Sequence, residues 1–113
     1  MSQNVNSPEE VLAGLRALKE RLFSAEIVDQ VKKLDEDARS DFVSRRLELS
    51  EAVTRLQTEQ VQNIRDRLQM LGGELTEGIT SVTESLKKIE KAAQWAQGLS
   101  SLLGSVARIV PLG

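Results

Sequence analysis

The stretch LGGELTEGITSVTESLKKIEKAAQWA, residues 71–96, decides the fold class. After two adjacent glycines, apolar side chains recur at alternating intervals of four and three residues, which is the period of one face of an α-helix. These side chains are Leu75, Ile79, Val82, Leu86, Ile89, Ala93 and Ala96. Two glycines within a helix would cost about 2 kcal/mol relative to alanine. We therefore predict a turn between two helices at Gly72 and Gly73, with an unbroken helix through both glycines as the alternative.

Apolar stripes with the same period cover most of the remaining chain. A first helix is predicted at about residues 8–23, because Ser7 can cap its amino terminus and Pro8 suits its first position. Two longer helices are predicted at about residues 25–71 and 74–110, on either side of the glycine pair.

The middle helix and the chain ends are less regular. An acidic run at residues 35–41 shifts the phase of the apolar stripe, so the helix either breaks there or continues with a bend. Residues 1–6 are polar and are predicted to be a disordered leader. Residues 7–113 are predicted to form one helical domain.

The composition favours an all-α fold. The chain has 113 residues and only three aromatic side chains, so leucine, valine, isoleucine and alanine must supply the core. Cores of this kind are typical of helix bundles and coiled coils. We predict an elongated antiparallel helical hairpin or a three-helix, coiled-coil-like arrangement. Because long thin helices bury little surface in a chain this short, we also expect the protein to self-associate.

Missing residue types and motifs argue against an enzyme. The chain has no cysteine and no histidine, so it lacks thiolate chemistry, cysteine-ligated metals and the commonest general base. The acidic run at residues 35–41 lacks the central glycine of a calcium loop. No glycine motif for binding phosphate or dinucleotides is present. We therefore expect no catalytic, cofactor or metal site. The net charge of −2, without a basic stripe, predicts no binding of nucleic acid.

The C-terminal segment carries the candidate functional surface. Within residues 94–113 the only charged side chain is Arg108, yet apolar residues still recur at helical spacing. The predicted partner or membrane interface consists of Trp95, Leu99, Leu102, Leu103, Val106, Ile109 and Val110. Upstream of it, the basic residues that could face anionic lipid headgroups are Lys87, Lys88 and Lys91. Packing on other helices or on a second copy is favoured, and contact with a bilayer is the alternative.

The predicted function is a non-enzymatic interaction or adaptor protein that assembles with itself or with a helical partner through coiled-coil packing. The alternative is a membrane-active protein, lipid-binding or pore-forming, whose amphipathic helix at residues 92–110 contacts a bilayer. The first residues lack the charged and apolar regions of a secretory signal, and no clean run of about 20 apolar residues could span a membrane. The predicted location is cytoplasmic, with peripheral attachment to a membrane under the alternative.

Overall fold

The computed structural model describes residues 7–109, apart from the side chain of Ala92, and these residues form helices without strands. The α-helices are α1 (Pro8–Leu22), α2 (Ala25–Val31), α3 (Glu36–Thr58), α4 (Val61–Met70), α5 (Gly72–Ser85) and α6 (Ala92–Ala107), with a short 3-10 helix (Leu86–Lys88) between α5 and α6. The all-α prediction is therefore confirmed. The predicted leader at residues 1–6, and Val110 at the end of the predicted last helix, lie outside the described residues.

Local capping sets the start of the first helices. The hydroxyl of Ser7 accepts a hydrogen bond from the backbone N–H of Glu10, and the Glu10 carboxylate accepts one from the Ser7 N–H. This reciprocal pair satisfies two amide groups that the first turn of α1 would otherwise leave unpaired. Ser24 caps α2 in the same manner, by accepting from the N–H of Ile27 at 3.4 Å.

For residues 25–71, the sequence leaves open one bent helix or a break near residues 35–41, and the structure has three helices there. The first break covers residues 32–35, where Asp35 caps α3 by accepting from the N–H of Ala38 at 2.8 Å. The second break lies at Glu59 and Gln60, whose backbones are extended, with ψ of 148° and 128°. Neither glycine nor proline marks this second break, so the stripe analysis did not indicate it. It allows α4 to turn back and pack against α1.

The turn expected at Gly72 and Gly73 is only a kink. One residue, Leu71 (φ −96°, ψ 4°), separates α4 from α5, and its carbonyl accepts from the N–H of Leu75 at 2.8 Å. The two glycines therefore belong to the first turn of α5 rather than to a loop.

The chain instead reverses at residues 86–91, within the helix expected at residues 74–110. There the 3-10 helix ends and α6 begins, and α6 then runs antiparallel to α5, since Gly78 meets Leu102 and Gly98 meets Val82. A helical pair is thus present, but it spans only the last third of the chain. The predicted elongated hairpin or coiled coil is not confirmed, because the six helices pack into a compact body of 42 × 36 × 22 Å.

The core lies where α6 packs between α3 and α5, while α1 covers α3, α4 and α5 from the other side. Each helix contributes apolar side chains at helical spacing, such as Leu15, Leu22, Phe42, Leu75 and Trp95, and all five are fully buried. The helices are short, and they satisfy their apolar stripes against one another within one chain. The expectation of self-association is based on long thin helices that leave apolar stripes exposed. Because the helices cover most of these stripes within one chain, that reason no longer applies.

Candidate interaction surface

The predicted C-terminal interface lies mainly inside the fold. Trp95, Leu99, Leu102, Val106 and Ile109 are each at most 1% exposed, and they belong to the hydrophobic core. Leu103 is partly buried, packed against this core. The structure thus brings these side chains together, but with their faces toward α3 and α5. Contact with lipid or with a partner would require α6 to leave the core.

Trp95 anchors the first turn of α6. Its indole Nε1 donates a hydrogen bond to the carbonyl of Ile89 at 2.7 Å, which satisfies its one polar group inside the core. Its ring meets Phe42 of α3 edge-on, with centroids 4.9 Å apart and an interplanar angle of 78°. One side chain therefore holds the reversal after α5, the start of α6 and the middle of α3 together.

Glycines and one charged cluster fix α6 against α5. A Cβ atom added at Gly78 would lie 2.9 Å from Cδ1 of Leu102, so a larger residue there would require this leucine methyl to move. At the other end of the pair, the Glu74 carboxylate accepts hydrogen bonds from Ser105 and from Arg108. The hydrogen bond from Ser105, with the bond and charge of Arg108, holds the pKa of Glu74 below its ordinary value.

The outward face of α6 is polar but uncharged. Gln94, Gln97, Ser100, Ser101 and Gly104 are exposed, and α6 contains no acidic or basic residue. The basic residues predicted to face headgroups, Lys87, Lys88 and Lys91, are all exposed at the start of this face. The three lysines therefore lie next to α6 on the surface, although the apolar side of α6 faces the core.

A different surface carries the exposed apolar side chains. Val43 and Leu47 lie one turn apart on α3 and are 41% and 54% exposed. Beside them, the guanidinium of Arg46 stacks over the ring of Phe23, 4.6 Å from its centroid, and donates to the carbonyl of Leu22. Phe23 itself is 46% exposed. We call these four residues, Phe23, Val43, Arg46 and Leu47, the α3 surface.

Arg46 places a positive charge among the exposed apolar side chains of the α3 surface. Partial burial lowers the pKa of Arg46, yet a guanidinium stays protonated at neutral pH. Its two aromatic neighbours, Phe23 and Phe42, attract the cation through their ring faces. The α3 surface is therefore a patch of apolar side chains around one fixed positive charge.

Sequence reasoning missed the α3 surface. The apolar stripe of α3 that includes Phe42 and Leu49 is buried in the core. Val43 and Leu47 form a second apolar pair beside that stripe, at a spacing of four residues. A helix with two apolar stripes on different faces has more apolar surface than one core contact needs. This second stripe is the feature of the sequence that could have predicted an exposed apolar face on α3.

The acidic run at residues 35–41 has structural partners. Asp35 caps α3, and Asp41 accepts from Nε of Arg45 at 2.9 Å. Within residues 7–109, no cluster of three or more acidic side chains has an arrangement that could hold a metal ion. Among the helices that the structure describes, none combines the length and the apolar character needed to cross a bilayer.

We found no family model, curated protein or solved structure that matches this chain.

Proposed function

We propose that the protein is a non-enzymatic interaction or adaptor protein that associates through the α3 surface. The supporting observation is that Val43, Leu47 and Phe23 remain exposed, while the other large apolar side chains at residues 7–109, apart from Met70, are at least partly covered. Adjacent exposed apolar side chains on a small protein commonly mark a contact with another protein. An arginine held beside an aromatic ring is also a frequent component of such contacts.

The expected partner is a helix, either of a second copy or of another helical protein. Val43 and Leu47 are separated by one helical turn, so a partner helix that packs along α3 can cover both. The partner helix and α3 would then pack as in a coiled coil, over a short length of α3. Self-association is the form of the proposal that can be tested with the protein alone.

Light scattering at increasing protein concentration tests this proposal. We expect the mass of the wild-type chain to rise above that of a monomer, and the double variant Val43→Ser/Leu47→Ser to remain a monomer. Met70→Ser is the matched control, because Met70 is 77% exposed on α4 and lies outside the α3 surface. It should associate like the wild type. A wild-type chain that stays monomeric up to about millimolar concentration, where weak contacts form, would refute self-association.

Contact with a bilayer is the second candidate function. It is supported by the uncharged outward face of α6 and by the exposed lysines at its start, Lys87, Lys88 and Lys91. Each lysine near an anionic membrane contributes about 1 kcal/mol to binding. Under this candidate the protein acts at a membrane surface from the cytoplasmic side, and α6 opens from the core to insert its apolar face or to take part in a pore.

Flotation with anionic vesicles tests the second candidate. The full chain should float with vesicles, and changing all three lysines to glutamate should abolish flotation. Lys32→Glu/Lys33→Glu is a suitable control, because these two lysines are also exposed but lie between α2 and α3. A truncation that removes α6 would not serve, since α6 forms part of the core. If the full chain stays with the unbound protein, this candidate is wrong.

A further inference from the structure

On its outward side, α3 has a second set of residues at helical spacing, and these residues do not pack in the core. They recur at intervals of four, three, four, three and four residues, and they are Glu36, Ser40, Val43, Leu47, Ser50 and Thr54. All are exposed except Ser50, which is half-buried. Such spacing places side chains along one line of a helix, as in the contact seam of a coiled coil. The α3 surface lies at the centre of this line, which we call the α3 seam.

Small side chains adjoin the apolar centre of the α3 seam. Ser40 and Ser50 lie one step before Val43 and one step after Leu47, and they leave room for a second helix to approach closely. The seam is limited at its far end, because Nζ of Lys19 on α1 donates to the hydroxyl of Thr54 at 2.8 Å. At the near end, two copies of Glu36 would repel each other, so the open part of the seam extends over roughly three turns of α3, from Ser40 to Ser50.

The two flanks of the α3 seam differ in charge. On one side lie Arg39 and Arg46, with Phe23 stacked under the second arginine. On the other side lie Asp37, Ser44 and Glu51, which are all exposed. One flank is therefore basic and aromatic, and the other is acidic with a small residue at its centre.

This difference distinguishes the two ways in which a second α3 could pack. In a parallel pair, the basic flank of each helix faces the acidic flank of the other, and Arg46 lies near Glu51 of the partner subunit. In an antiparallel pair, each flank faces its own equivalent. Arg46 would then lie near Arg46 of the partner subunit, and Asp37 near Glu51 of the partner subunit, and both contacts are repulsive.

We infer that two copies of this chain pair through their α3 helices in parallel, with Val43 and Leu47 at the centre of the contact. This inference rests on the proposed function, and it adds the identity of the partner and its orientation. A second copy fits better than an unrelated helix because the two flanks of one α3 are complementary to each other. Ser44 of the partner subunit provides space beside the exposed ring of Phe23.

Disulfide trapping tests the orientation, and the absence of native cysteine makes single cysteines unambiguous. In a parallel pair, the two copies of residue 40 meet across the seam, within the Cα separation of about 7 Å that a disulfide permits. We therefore expect Ser40→Cys alone to form a crosslinked dimer under mild oxidation by oxidised glutathione. Thr80→Cys, at an exposed position on α5, is the control and should not crosslink efficiently.

The other outcomes separate the orientation from the proposed function. In an antiparallel pair, residue 40 lies opposite residue 50 of the partner subunit, and the two copies of residue 40 are about 15 Å apart. Crosslinking only when Ser40→Cys and Ser50→Cys proteins are mixed would overturn the parallel arrangement. If the wild type associates through Val43 and Leu47 but neither experiment traps a dimer, pairing along the α3 seam is wrong while the proposed function stands. A monomeric wild type would overturn this pairing and the self-association form of the proposed function, and would leave contact with another helical protein as its remaining form.

Charge reversal provides a second measurement that needs no crosslink. Glu51→Lys places a lysine near Arg46 of the partner subunit, and we expect dimerisation to weaken by about tenfold or more. Glu48→Lys is the matched control, because it makes the same change on the same helix away from the seam. Equal effects of the two variants would contradict the predicted contact between Arg46 and Glu51.

Discussion

Helix α3 is rich in charged residues but exposes apolar side chains, whereas α6 has no charged residue and buries its apolar side chains. Nine of the 23 residues of α3 are acidic or basic, whereas α6 has none in 16 residues. Nevertheless, α3 exposes Val43 and Leu47, while α6 buries Trp95, Leu99 and Leu102. A lack of charge in a helix therefore does not show that its apolar face is exposed.

The neighbours of each helix explain this difference. Helix α6 lies between α3 and α5, so its apolar residues have protein on two sides and only a polar strip reaches water. Helix α3 packs against α1 and α6, and the side with Val43 and Leu47 stays uncovered. The position of a helix in the fold determines which apolar residues remain available.

The largest effect of a single substitution is expected from shortening Trp95. Because its ring is fully buried against Phe42, Trp95→Ala should lower the free energy of unfolding by about 3–5 kcal/mol. Urea unfolding followed by circular dichroism measures this, since the variant has no tryptophan for fluorescence. Trp95→Phe keeps an aromatic ring but loses the hydrogen bond to Ile89, and it should be destabilised less. If Trp95→Ala unfolded at the wild-type urea midpoint, α6 would not be part of the core.

The close approach of α5 and α6 gives the next largest effect. An added Cβ at Gly78 would lie 2.9 Å from a Leu102 methyl at the end of a flexible side chain, so this methyl has to move, and Gly78→Ala should be less stable than Gly104→Ala by about 1 kcal/mol. The Cβ of Gly104→Ala, on the outer side of α6, has nothing within 4 Å and should stabilise the fold by about 0.4–1 kcal/mol. Thermal unfolding of the two variants measures the difference. Equal shifts would mean that α6 is not held against α5 as described.

The all-α class and the caps of α1 and α2 can be predicted from the sequence more readily than the way in which the helices pack together. Ser7 and Ser24 act through neighbours three residues away, so their effect can be derived locally. The break at Glu59 and Gln60 carries no such cap, since the side chain of Gln60 makes no capping hydrogen bond at the start of α4. The break lets α4 pack on α1, which is a contact between distant parts of the chain.

The same limit applies to the candidate surface. Apolar periodicity in α6 indicated that one face is covered, but it did not show whether the cover is the same chain, a partner or lipid. The pair Val43 and Leu47 is visible in the sequence beside the stripe of Phe42 and Leu49. Only the placement of α1 and α6 shows which of these two stripes stays outside.

Removing apolar area from α3 should affect stability much less than removing it from α6. The double variant Val43→Ser/Leu47→Ser should change the free energy of unfolding by no more than about 1 kcal/mol, because both side chains already contact water. The equivalent change in α6, Leu99→Ser/Leu102→Ser, should prevent stable folding because both leucines are 1% exposed. Urea midpoints at low protein concentration, where association is absent, measure this contrast. A large loss for the α3 variant would place Val43 and Leu47 in the core.

The smallest effect is expected from the pH dependence of the contact between Glu74 and the end of α6. The pKa of Glu74 is lowered in the folded protein by its hydrogen bonds from Ser105 and Arg108, so the unfolded chain binds a proton more readily. This carboxylate therefore adds stability above its ordinary pKa of 4.5, and the addition is lost as the pH falls through the lower folded value.

Glu74→Gln should make stability fall less steeply as the pH is lowered below about 4.5. Urea midpoints measured between about pH 7 and pH 3 test this, because an ordinary glutamate carboxylate, as in the unfolded chain, titrates in that interval. Glu77→Gln, an exposed change one turn further along α5, is the control for the loss of one acidic side chain. Some slope should remain in Glu74→Gln, because a backbone hydrogen bond and Arg65 also lower the pKa of Glu9. If both glutamine variants kept the wild-type slope, the contact with Arg108 and Ser105 would not stabilise α6, and its attachment would depend on apolar packing alone.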